Sequence, residues 1–198
     1  MLDQIDNGIQ VAALLVCVVS AVWLAMRRTS RPHVLLALFY GSWLLGDIYW
    51  LVCYLCYDTM PQISVVSDMS WYASGIFLYM LLREVAPPTG ARHVLPWIGP
   101  VFAAGMAVFF MQWGEYFNNT VYAVVMGLLM FASISRLQDG QQRFLPALVL
   151  VYCLLEYGLW VSSCFWQEPV LTEPYYWFEF MLTASFFLFL PTVGRTTR

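Results

Sequence analysis

Residues 34–57 read VLLALFYGSWLLGDIYWLVCYLCY, a run with a single charged side chain, Asp47. Roughly 20 apolar residues wound as a helix cross the hydrocarbon core of a bilayer, and a helix satisfies its own backbone hydrogen bonds where there is no water. The run therefore reads as a transmembrane helix with an acid near its middle. Working outward from it, hydropathy predicts spans at residues 9–26, 34–57, 65–82, 95–113, 121–135, 145–166 and 175–190. The composition agrees: 61% of residues are hydrophobic and 11% charged, too little polar surface to keep a soluble domain dispersed. The expectation is an all-α membrane protein, one seven-helix transmembrane domain over residues 1–198. No basic segment precedes the first span and no small-residue cleavage site follows it, so it reads as a retained helix rather than a signal peptide.

Orientation follows from arginine, since basic residues in short loops favour the cytoplasmic side. Lysine is absent. Arg27, Arg28 and Arg31 lie between spans one and two, Arg83 and Arg92 between three and four, Arg136 and Arg143 between five and six, and Arg195 and Arg198 after seven. All 9 basic residues thus fall on one side, while Asp3, Asp6, Asp58, Glu115, Glu168 and Glu173 occupy the other. A seven-span chain with its N-terminus outside the cytoplasm and its C-terminus inside is predicted, and short loops and small size lean towards a bacterial inner membrane.

An internal repeat is also predicted. Residues 35–52 (LLALFYGSWLLGDIYWLV) and 67–79 (SDMSWYASGIFLY) resemble 145–161 (LPALVLVYCLLEYGLWV) and 178–189 (FEFMLTASFFLF). Asp47 matches Glu156 in mid-helix, and Asp68 matches Glu179, each of the latter pair followed at the same spacing by Ala-Ser, Ala73-Ser74 and Ala184-Ser185. With the first and fifth spans completing two triplets, repeat one covers about 7–84, a linker helix 94–113, and repeat two about 118–193. Both triplets then run in the same direction, a parallel 3+1+3 plan.

The acids are the candidate site. An ionised carboxylate at mid-membrane costs roughly 2.5 to 3.5 kcal/mol on insertion scales, and no span carries a basic residue to neutralise it. Asp47 and Glu156 must be protonated, hydrogen-bonded to neutral groups, or paired with something from outside the protein. Asp68 and Glu179 lie nearer the outer surface, where helix N-terminal capping is a competing role. Trp43, Tyr49, Trp50, Trp71, Tyr72, Tyr157, Trp160, Tyr176 and Trp177 surround these positions. Carboxylates beside aromatic faces suit an organic cation. The predicted ligand-binding set is Asp47, Trp50, Asp68, Trp71, Glu156, Trp160 and Glu179, while Trp113, Trp166, Tyr175 and Tyr176 read as an interfacial aromatic belt.

Other chemistries are excluded or disfavoured. Schiff-base linkage of retinal needs a lysine, and no P-loop, GxSxG, HExxH or Rossmann pattern occurs. Cys17, Cys53, Cys56, Cys153 and Cys164 read as apolar packing residues, because Cys53 and Cys56 have CxxC spacing without a second pair. His33 and His93 sit at cytoplasmic helix starts as interfacial groups. No metal, cofactor or nucleic-acid partner is expected, and an oligomer or a membrane partner is left open. Pro61-Gln62 reads as a loop turn. Asn118-Asn119-Thr120 is an outer-side glycosylation sequon, meaningful in a eukaryotic host.

Three resemblances arise. LGDIYW (45–50), followed by PQISVVSDMSWYASGIFLY (61–79), resembles the multi-span sensor domains that precede bacterial diguanylate cyclase and histidine kinase modules, with Ser64 and Asp68 one residue further apart than in that pattern. Gly46-Asp47 with a later Glu156 is similar to the YhhN-like lysoplasmalogenase family, which implies a hydrolase with those two acids catalytic; the histidine usual there after Gly-Asp is absent. The 3+1+3 plan is similar to that of SWEET, PQ-loop and KDEL-receptor proteins. The leading expectation is a small-molecule-binding membrane protein, a transporter or receptor-like sensor, taking a cationic or polar ligand with proton coupling through buried carboxylates. An intramembrane lipid hydrolase and a structural accessory subunit are the alternatives.

Overall fold

A computed structural model describes residues 2–57, 64–87, 94–139, 143–166 and 170–196. Asp58, Pro61, Gln62, Arg92, His93, Glu168 and Arg198 lie outside the described residues. Among the described residues seven helices follow one another: α1 (Leu2–Arg28), α2 (Arg31–Tyr57), α3 (Val65–Val85), α4 (Ile98–Phe110, with a 3-10 turn at each end), α5 (Tyr116–Asp139), α6 (Phe144–Phe165) and α7 (Pro174–Thr196). With their flanking turns, all are long and apolar enough to span a bilayer, and the chain is a multi-pass membrane protein. Among the described residues there is no strand.

The first span departs from its predicted limits. Hydropathy begins it at residue 9, with Asp3 and Asp6 in an outer loop, whereas the helix starts at Leu2 and buries Asp6. Polar residues on an inward helical face lower mean hydropathy without ending the helix. Likewise α5 begins at Tyr116 rather than at 121, directly after Gly114 and Glu115, both at positive φ (94° and 53°), turn the chain back. Prolines mark helix starts, with Pro32 in the first turn of α2, Pro96 in the turn before α4, Pro146 in the first turn of α6, and Pro174 as the first residue of α7. The missing N–H at those positions has no intrahelical partner anyway.

Six helices close a ring in the order α1, α2, α3, α5, α6, α7 and back to α1, and α4 packs outside it against α5. Small residues permit that last contact: Gly99, Ala103 and Ala107 recur every four residues on the buried face of α4. A Cβ on Gly99 would stand 2.6 Å from Cβ of Met130, so the two backbones approach as in small-xxx-small membrane packing. Outward faces are apolar, with Val19, Val101, Val108 and Leu188 all exposed. Polar side chains are inside instead, the distribution expected where the surrounding solvent is lipid.

Aromatic rings fill the centre of the ring on the arginine side. Phe39 contacts Tyr152 at 5.8 Å and Phe189 at 5.4 Å between centroids, and Trp43 contacts Phe186 at 5.5 Å. Tyr40 donates its hydroxyl to the Phe186 carbonyl at 2.6 Å. Aromatic pairs contribute about 0.5–1.5 kcal/mol each beyond area burial. They form the floor on which the cavity described next rests.

The remaining sequence expectations divide. Cys17 and Cys153 are buried in the core, but Cys53 and Cys164 are half-buried and Cys56 is exposed; all are free thiols. His33, at the start of α2, is wholly buried rather than open to the surface. Tyr176 is buried and donates its hydroxyl to Asp3, and Tyr175 faces the cavity, so neither belongs to an interfacial belt; Trp113 and Trp166 are exposed as a belt requires. Asn118 sits in the first turn of α5 with its amide donated to Asp68 at 2.8 Å, so the sequon is helical and its side chain engaged.

Candidate functional site: an acid and tryptophan cavity

At the end of the bundle opposite the arginines, a cavity of about 370 Å³ opens between α1, α2, α3, α6 and α7. Of the predicted set, Asp47, Trp50, Asp68, Trp71, Trp160 and Glu179 line it. Glu156 is off the wall: its Oε2 accepts the hydroxyl of Tyr122 at 3.0 Å. The structure adds Asp3, Asn7, Gln10, Trp43, Tyr54 and Tyr175 to the lining. It also adds the buried Asp6, whose charge interacts with both Asp47 and Glu179.

Helix geometry places these groups. Asp3, Asn7 and Gln10 are spaced as one face of α1, the 3.6-residue period turning all three to the same side. Asp47 is carried on α2 directly after Gly46, whose missing Cβ leaves room for the Trp71 indole; a Cβ there would meet Trp71 Nε1 at 2.7 Å. Trp71 stacks on Trp50 at 6.2 Å and an interplanar angle of 29°, and meets Trp43 at 6.1 Å. Trp50 in turn contacts Tyr54 at 6.0 Å. One wall is thus a continuous row of aromatic faces running from the floor to the mouth. Across from it, Trp160 stacks on Tyr122 at 5.1 Å and 30°.

The acids differ in how they are held. Asp68, in the first turn of α3, accepts Ser64 Oγ at 2.7 Å and Asn118 Nδ2 at 2.8 Å, so it ties α3 to α5 through side chains. Glu179 is the sixth residue of α7, past the capping positions, and is buried beside Gln10. Asp6, Asp47, Asp68, Glu156 and Glu179 are none of them more than 6% exposed. Among the described residues the one ion pair, Arg31 with Glu84 at 3.8 Å, is at the other end of the bundle.

Asp47 Oδ2, Glu156 Oε1 and the Trp50 indole N–H have no protein hydrogen-bond partner, while the Trp43 and Trp71 indoles lie beside Asp47 as Gln10 lies beside Glu179. An unmet buried polar atom costs about 1–3 kcal/mol, so polar atoms left over by the protein at a cavity wall favour an occupant that can bond them. The acids are too dispersed to form a group of three that could hold a metal ion among the described residues. They instead flank a space of molecular size.

Chemically the cavity offers negative charge at several depths, π faces along one wall, and spare donors and acceptors. Sequence reasoning missed Asp6, Gln10 and Tyr122. The α1 pair was legible in the three- and four-residue spacing of Asp3, Asp6 and Gln10, whereas nothing in the sequence around Tyr122 marks it as the partner of Glu156. No protein-family model, curated protein or solved structure matches the chain.

Proposed function

We propose that this chain is a small-molecule-binding membrane protein, a transporter or receptor-like sensor, whose ligand is an organic cation admitted from the arginine-poor side. The observation that carries the reading is the cavity wall itself, on which Asp47, Asp68 and Glu179 stand among Trp43, Trp50, Trp71 and Trp160 with no basic side chain. A carboxylate buried without a basic partner is satisfied by a proton or by a cation, and the two compete for it. Cation–π attraction to desolvated indole faces adds about 2 kcal/mol or more. The same logic gives proton coupling, with Asp47 and its neighbour Glu156 releasing protons as the ligand enters.

The topology in this reading has the N-terminus outside the cytoplasm, the arginine end inside, and a bacterial inner membrane as the setting. The 3+1+3 repeat has support beyond the sequence. Exchanging α1, α2, α3 with α5, α6, α7 leaves the order of helices around the ring unchanged. Trp43 and Tyr152, each four residues before its mid-helix acid, meet edge to face at 5.8 Å, as equivalent residues do when they lie on a two-fold axis. Ser74 and Ser185 each donate to the carbonyl three residues earlier at 2.7 Å. Two such halves rocking about a shared site would favour transport over sensing.

The test is a thermal-shift screen of primary, quaternary and aromatic amines on purified protein, followed by uptake into proteoliposomes for any hit. Amines are expected to raise the unfolding midpoint, and Asp47→Asn or Glu179→Gln to abolish the rise. Equal responses of wild type and both variants would refute the assignment. A second reading takes Asp47 and Glu156, each buried four residues beyond the contacting Trp43 and Tyr152, as an acid–base pair activating water on a lipid. Release of fatty aldehyde from a lysoplasmalogen, lost in Asp47→Asn, would favour that hydrolase over the binding protein.

A further inference from the structure

The bundle has a second cavity, of about 340 Å³, at the arginine end between α1 and α7. Leu24, Leu190 and Pro191 form its apolar wall, Arg28 and Arg195 its polar rim, and Gly194 lies between them. Both arginines are exposed, and no carboxylate lines the space. Arg27, the next residue, lies over the Trp23 ring at 4.7 Å, a tryptophan and arginine pairing suited to the headgroup level of a bilayer.

The seam across the ring at the same end is closed differently. Between α3 and α5, the buried Arg136 donates to the carbonyls of Ala86 and Ala132, so its guanidinium is consumed in capping the end of α3. Between α1 and α7, Arg28 and Arg195 are exposed and line the open space between the helices. A Cβ on Gly194 would meet no atom within 4 Å.

We propose that this groove binds an anionic phospholipid, with the headgroup phosphate between Arg28 and Arg195 and an acyl chain along Leu24, Leu190 and Pro191. Paired guanidinium groups recognise phosphate oxygens with charge-assisted hydrogen bonds. A basic pocket between transmembrane helices, continued by an apolar wall running into the hydrocarbon region, suits a lipid rather than a free anion. The site is separate from the acid cavity and does not depend on what that cavity binds.

Native mass spectrometry of the delipidated protein, titrated with phosphatidylglycerol, phosphatidylcholine or inorganic phosphate, tests the assignment. Phosphatidylglycerol is expected to bind at least 10-fold more tightly than phosphatidylcholine, and the Arg28→Gln/Arg195→Gln variant to lose that preference. Gly194→Leu, whose Cβ meets no atom within 4 Å on the groove wall, is expected to reduce binding as well, while Arg143→Gln leaves it unchanged. Should the double variant fail to fold, the Gly194→Leu comparison decides alone. Equal binding of both lipids, undiminished binding in the groove variants, or displacement of phosphatidylglycerol by equimolar inorganic phosphate would each overturn the proposal.

Discussion

Gly46 on α2 lies directly beneath the indole of Trp71 on α3, so close that a Cβ added to it would stand 2.7 Å from Trp71 Nε1. The contact sets how near the tryptophan wall comes to the Asp47 carboxylate. Gly46→Ala is expected to displace the Trp71 ring, since overpacking of this kind costs about 1–3 kcal/mol and the better helix propensity of alanine returns only about 1 kcal/mol. Tryptophan emission should shift and amine affinity fall about 10-fold. Unchanged emission and affinity together would show that Trp71 does not shape the site.

Protons and a cation compete for the same buried oxygens in the proposed function. A quaternary ammonium ligand, whose own charge is independent of pH, is therefore expected to bind more weakly as pH falls and more tightly as it rises. Calorimetry in buffers of different ionisation heat should register proton release on binding, reduced in Glu156→Gln. Binding without proton release at any pH contradicts the coupling.

Tyr122 is the sole hydrogen-bond partner of Glu156 among the described residues, on Oε2, while Oε1 has none. Tyr122→Phe should destabilise the protein by about 1–3 kcal/mol through an acid left wholly unpaired. Replacing the acid as well, in Tyr122→Phe/Glu156→Gln, should recover part of that loss. A double-mutant cycle on unfolding in detergent measures it, and strictly additive effects would mean that the bond contributes nothing.

Asp6 is buried within electrostatic reach of Asp47 and Glu179. Asp6→Asn is expected to weaken amine binding in the same direction as Asp47→Asn, whereas Glu84→Gln, at the arginine end, should leave it unaltered. Equal affinities for all three variants and the wild type would remove α1 from the site.

Two glycines of α4 should respond oppositely to enlargement. A Cβ on Gly99 would stand 2.6 Å from Met130 Cβ and 3.0 Å from the Phe131 backbone N, whereas one on Gly105 meets nothing within 4 Å, so Gly99→Leu and Gly105→Leu make a matched pair. The first is expected to lower the unfolding midpoint in detergent and loosen α4 from α5, and the second to be tolerated. Similar midpoints would show that α4 is not held by close backbone approach.

Seven spans, the gathering of arginines at one end and the acids Asp47, Asp68, Glu156 and Glu179 were all legible in the sequence, because crossing a bilayer imposes length and polarity one helix at a time. Each span reports its own hydropathy whatever its neighbours do. Which acids share a cavity depends on how helices far apart in the chain rotate and pack, and local pattern does not carry that. Only the tertiary structure drew Asp6 from an expected loop into the interior, gave Glu156 to Tyr122, engaged Asp68 with Asn118 and set α4 outside the ring. The physical reason is that lipid constrains every helix separately, whereas side-chain contacts between helices choose among the many arrangements that lipid allows equally.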